Sequence, residues 1–293
     1  MRERCRILSA MRSPDFRAVW WKIERATQHR AAFHLDAEKY FGIEANRPLC
    51  IGKYNPSRSY YSFRVSYIPP TLREFLLYSA ITIGDFAHDL RSALDHLAYQ
   101  LALVEATRAG RRLDARDREG IYFPIHGRQR SAPKRRWTAK EKGYVSLFGA
   151  SNTTRIKQFQ PYRGRAGRTD YSAGRFRHQL TLLSRLSNRD KHRLPNVVAA
   201  FPADLRMIQP VRPGLQFEGI GFVSNRVVLG AEIFRARVSG AQDREVDVEA
   251  EVRPLIAFPN GANAGVEMDR IVLFVMEVVR AFDPDGKLPP LRR

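Results

Sequence analysis

The chain has 293 residues, 44% of them apolar, and a net charge of +20 from 50 Lys/Arg against 30 Asp/Glu. Such a composition can bury a core and excludes wholesale disorder. Cys5 and Cys50 are its two cysteines and stand in no motif, which argues against a disulfide framework or a zinc cluster. No apolar run reaches signal-peptide or membrane-spanning length, so a soluble, cytoplasmic protein with no membrane partner is expected.

Residues 1–12 are expected to be disordered. Ser13-Pro14-Asp15 is a helix start: a capping Ser, Pro at the first helical position and an acid near the positive end. The helix is predicted over Pro14 to Phe41, with Trp20, Ile23, Ala26, Thr27, Phe33, Ala37 and Tyr40 on its apolar side. Two strands follow, Leu49 to Tyr54 and Tyr60 to Ile68, around the turn Asn55-Pro-Ser-Arg58. Thr71 is placed to cap a second helix running to about Glu105, with Gly84 a kink or break. Arg108 to Gly120 reads as a charged loop, and Ile121 to Ile125 as a short strand or packed loop. A basic loop, Arg128 to Arg136, precedes a short helix, Trp137 to Phe148. Arg155 to Arg168 reads as irregular, and a helix is expected from Ala173 to about His192.

Beyond Pro195 the pattern becomes extended. Strands are expected at Val197 to Phe201, Leu205 to Ile208, and in a hairpin of Leu215 to Phe222 with Arg226 to Val238. Val246, Val248, Ala250 and Val252 alternate with Asp247, Glu249, Glu251 and Arg253, the period of a half-exposed strand. A closing helix is predicted over Val266 to Phe282. An isolated hairpin is marginal in water, so the early strands should join the late antiparallel sheet. The expected fold class is therefore α+β, a helical bundle packed on a mostly antiparallel sheet. It is taken as a single domain over 13–293, with the helical part about 71–195, the sheet from 49–68 and 196–258, and the closing helix 266–282.

Charge is unevenly placed. Residues 128 to 193 hold 18 Lys/Arg against Glu141, Asp170 and Asp190, whereas residues 196 to 293 hold 12 against 13. A clustered basic region attracts phosphates by counterion release. Of the basic residues 41 are Arg, which coding bias toward GC explains equally well as a total, though less well as a lopsided distribution.

Two stretches concentrate His, Asp and Arg. On a helix turning about 100° per residue, Phe86, Ala87, Leu90, Ala93, Leu94, Leu97, Ala98 and Leu101 share one arc. Asp85, His88, Asp89, Arg91, Ser92, Asp95, His96 and Tyr99 share the other, and Arg91 with Asp95 is spaced as a helical ion pair. This arc has no Lys or Glu, and its three Asp are poor helix formers. It is therefore a site candidate beside the bland reading of a solvated face. In the second stretch Asp190 and Ser187 fall within the stripe of Phe176, Leu180, Leu183, Leu186 and Leu194. A carboxylate there needs a cation, and Arg91 and His88 are candidates. Asn188, Arg189 and His192 lie opposite, while Lys191, His192 and Arg193 before Pro195 are also ordinary helix-end chemistry.

Leu90-Arg-Ser-Ala-Leu-Asp-His-Leu97, Tyr122-Phe-Pro-Ile125, Gln160-Pro-Tyr162 and Asn188-Arg-Asp-Lys-His-Arg193 resemble a family of uncharacterised bacterial proteins, which implies no activity. Arg91 and His96 also resemble the spaced Arg and His of the HEPN superfamily of helical proteins, many of them metal-independent ribonucleases. That resemblance implies an Arg holding the scissile phosphate, a His activating the ribose hydroxyl and a homodimer completing the site. On a regular helix the two point about 140° apart.

Three functions compete. The first is a nucleic-acid-associated protein that binds or cleaves RNA or another polyanion. Arg155, Lys157, Arg163, Arg165 and Arg168 would hold phosphates, Phe159, Tyr162 and Tyr171 would stack on bases, and Arg91 and His96 would cleave. The second is a metal-dependent hydrolase with His88, Asp95, His192 and Asp190 around a divalent ion. The third is a non-enzymatic binding or assembly protein whose motifs are internal ion-pair locks. No cofactor is implied.

Overall fold

The computed structural model describes residues 14–126, 145–161, 178–190, 197–208, 216–224, 226–239 and 247–286. Helices α1 (Arg17–Gly42), α2 (Leu72–Arg108), α3 (Ala115–Gly120), α4 (Ala150–Gln158), α5 (Gln179–Asp190) and α6 (Ala264–Arg280) accompany six strands. These are β1 (Leu49–Asn55), β2 (Tyr60–Tyr67), β3 (Val198–Met207), β4 (Gln216–Phe222), β5 (Glu232–Ser239) and β6 (Val248–Ala257). The fold is α+β. It divides into two compact units, one of residues 1–30, 83–193 and 268–293, the other of 31–82 and 194–267.

The second unit holds the sheet, in the order β3-β6-β1-β2-β5-β4, with every pair antiparallel. The early hairpin thus sits at its centre, as the marginal stability of a lone hairpin requires. One face carries the core: Cys50, Tyr61, Phe63, Val65, Phe234, Ala236 and Val238 are buried. Phe63 stacks on Phe234 with ring centroids 4.2 Å apart. Gly52 lies opposite Phe63, and a Cβ there would meet the ring at 2.5 Å. The two expected strands 197–201 and 205–208 are one strand, β3, whose pairing is irregular around Pro202. Proline lacks a donor, and β3 tolerates it at the edge of the sheet, where β6 is the one strand paired with it among the described residues. Pro254, opposite Pro202 on β6, lies beyond the last β1 pairing at Glu251.

The first unit is helical. Helix α1 starts at Arg17 rather than Pro14, and Asp15 accepts from the Arg17 N–H at 3.1 Å; Ser13 lies outside the described residues. Arg17 also holds the Asp15 carboxyl at a pKa of about 2. In α2 the predicted arc is the buried one: Phe86, Ala87, Leu90, Ala93, Leu94, Leu97 and Ala98 are fully buried and Leu101 nearly so. The helix is unbroken through Gly84, because that glycine is buried and needs no turn conformation. Thr71 does not cap α2 by its side chain, since its hydroxyl bonds Asn46 and Tyr40. The expected loop at 108–120 contains α3, made by a capping box in which Asp114 and Asp117 bond one another's backbone N–H. Irregular structure was expected from Arg155, yet α4 continues to Gln158. Helix α5 buries Leu180, Leu183, Leu186 and Ser187, as its stripe predicts. Among the described residues no helix is long and apolar enough to cross a membrane.

Candidate functional site

The candidate arc of α2 is occupied by chain. Arg91 donates to Asp95 through Nε at 3.2 Å and lies 3.0 Å from its second oxygen through a terminal nitrogen. That same nitrogen donates to the Phe123 carbonyl at 2.9 Å, and the Asp95 carboxylate accepts from the Phe123 N–H at 2.9 Å. The donor and acceptor of one residue's backbone are thereby paired with a helical Arg–Asp couple, as a neighbouring strand would pair them. The Phe123 ring is fully buried.

A second side chain continues the pattern. Buried Gln160 accepts from the His126 N–H at 3.0 Å and donates to the Pro124 carbonyl at 2.8 Å and the Ile156 carbonyl at 3.2 Å. The segment Ile121 to His126 is neither helix nor strand and pairs with no strand among the described residues. Its backbone must still be satisfied, and Arg91, Asp95 and Gln160 supply the partners. Accounting for the hydrogen bonds of Tyr122-Phe-Pro-Ile125 would have pointed to this role for Gln160, which composition and charge do not.

The remaining α2 candidates separate. His88 is exposed with no hydrogen-bond or ion-pair partner among the described residues. His96 is also exposed, and partial desolvation, then the charge of Lys22, lowers its pKa from the ordinary value, with Asp95 opposing weakly. Desolvation and the Lys22 charge both favour the neutral imidazole. Arg91 does not join it, since its contacts run to Asp95 and Phe123. Asp89, not singled out from the sequence, lies 3.6 Å from Arg25 and 3.5 Å from His29 of α1. Asp190 closes α5, but its side chain and all of His192 lie outside the described residues, as does any meeting of the two motifs. Arg91 pairs with Asp95, the helical ion pair that their spacing predicts. Among the described residues no group of three or more His, Cys, Asp or Glu is placed around a metal ion.

Of the phosphate-holding candidates, Arg155 is exposed but donates to the Ala281 carbonyl at 2.9 Å, just past the end of α6. Lys157 is half-buried. Phe159 is no stacking platform: it is buried, with its ring centroid 6.1 Å from that of Phe274. Its apolar area belongs to the core, where aromatic rings pack edge to face. Tyr162, Arg163, Arg165, Arg168 and Tyr171 lie outside the described residues. On α5, Arg185 and Arg189 stand one turn apart, both exposed, with no acidic partner among the described residues. Cys50 is buried, which pushes its thiol up to about 12 and keeps it protonated and unreactive. No known protein family, curated protein or solved structure matches the chain.

Proposed function

We propose that the protein binds RNA through its basic segment, residues 128–193, and that the Arg91–Asp95 couple is a structural lock rather than catalytic machinery. The observation that carries this reading is the 18 Lys/Arg against three acids in that segment. The exposed Arg185 and Arg189 on α5 support it, since unpaired guanidinium groups suit phosphate oxygens. The HEPN-like spacing of Arg91 and His96 agrees with RNA as the polyanion. Cleavage is the lesser part of that likeness, because a phosphate would have to displace both Asp95 and the Phe123 carbonyl from Arg91.

The test is fluorescence anisotropy with a labelled single-stranded RNA across a salt series. Charge reversal at Arg185 and Arg189 should weaken binding at least tenfold and flatten the log–log salt slope by about 1.4, at about 0.7 per phosphate contact. Unchanged affinity and slope would remove the basic segment as the binding surface. The same RNA, incubated at neutral pH, should remain uncut; cleavage lost on His96→Ala would instead favour the ribonuclease reading, and cleavage lost to EDTA the metal hydrolase.

A further inference from the structure

Counted along the chain, the last third is neutral, but strands sort charge by face. Side chains opposite one another in an antiparallel pair share a face. On the face of the sheet away from Phe63 and Phe234, Tyr60 lies opposite Arg237, Ser62 opposite Arg235, and Arg64 opposite Glu232. Lys53 lies opposite Ser62 on the other side. Four cations therefore gather across β1, β2 and β5 with one acid among them. Glu232 is already used: Arg235 holds it through two bonds of 2.7 and 2.9 Å, and Ser62 adds a third at 2.7 Å. Lys53, Arg64 and Arg237 are exposed, and Lys53 and Arg237 have no hydrogen-bond or ion-pair partner among the described residues. Other acids border this area: Asp247, which the β1–β6 register carries next to Lys53, Glu218 in the β4 bulge beside Gly219, and Glu249 and Glu251 farther across on β6, where Arg47 pairs with Glu251.

This basic area also has an aromatic and a clear surface. The Arg235 guanidinium lies over the Tyr60 ring, 5.0 Å from its centroid, and the Glu232 fork fixes it there. Beyond it, β4 places Gly221 opposite Arg235 and Gly219 opposite Arg237. A side chain at either glycine would meet nothing within 4 Å, so the ground beside the two arginines is open. Strands lie about 4.8 Å apart and same-face residues about 6.8 Å apart along a strand. The cations are thus spread over an area wider than a single phosphate rather than focused on one small anion.

We infer that this face of the sheet is a second nucleic-acid surface, binding single-stranded RNA with phosphates on Lys53, Arg64 and Arg237 and a base against the Tyr60–Arg235 stack. A basic sheet face with an aromatic suits unpaired bases, whose faces can be stacked, better than a duplex, whose bases are already stacked. RNA as the occupant rests on the function proposed above; the surface itself rests on the sheet register.

The experiment compares three proteins against a labelled single-stranded oligouridylate and a duplex of equal length: wild type, K53E/R237E, and R185E/R189E. Circular dichroism checks that each is folded; should K53E/R237E fail that check, K53Q/R237Q replaces it. The sheet variant should lose at least tenfold in affinity for the single strand, and Tyr60→Ala about tenfold, with Tyr60→Phe retaining most of it. The duplex should bind the wild type more weakly than the single strand. A sheet variant with wild-type affinity overturns the second surface, whatever the α5 variant does. Loss in the sheet variant but not in the α5 variant keeps this surface and overturns the basic segment as the binding site. A wild type that retains neither probe overturns both.

Discussion

At the scale of single residues, the arc that looks catalytic is doing backbone work. Asp, His and Arg on one helical arc were readable from the sequence, and so was the Arg91–Asp95 spacing. Their partner was not, because Phe123 lies 28 residues beyond Asp95 and offers main-chain rather than side-chain groups. The carboxylate and guanidinium are half-buried, and removing either strands the buried Phe123 backbone. Asp95→Ala or Arg91→Ala should therefore cost about 2–3 kcal/mol in urea unfolding, as charged hydrogen bonds with a buried partner do. Gln160→Ala should act in the same direction. A loss under about 0.5 kcal/mol, the scatter of an idle surface site, would show that the couple is not a lock.

At the scale of elements, periodicity was the reliable signal and punctuation was not. The apolar arc of α2, the stripe of α5 and the alternation along β6 match the buried residues, because burial selects by face. Gly84 and Thr71 misled: a buried mid-helix glycine costs propensity without breaking the helix, and the Thr71 hydroxyl found side-chain partners instead of the helix end. Phe159 misled for a related reason, since an aromatic in a basic stretch still goes to the core when its helix faces one. The centre of the sheet depends on a close approach that the sequence does not announce. Gly52→Ala should collide with the rigid Phe63 ring and destabilise by about 1–3 kcal/mol, the range for overpacking; thermal melting checks it. An unchanged midpoint would mean that β1 and β2 can separate enough to admit the methyl group.

At the scale of the whole molecule, charge carries the account. Segment totals exposed the basic middle but hid the cations of β1, β2 and β5, because Lys53, Arg64, Arg235 and Arg237 are scattered along the chain and united by register alone. The Asp190 side chain and His192 lie outside what is described, so the α2 arc stands on its own geometry. If RNA binding is electrostatic, affinity must fall as salt displaces it from the phosphates. The most direct measurement is the dissociation constant of the intact chain for single-stranded RNA between about 50 and 300 mM KCl. A log–log slope steeper than about −2, the value for about three neutralised phosphates, is the predicted result; no retention at the lowest salt, or a slope near zero, would contradict it.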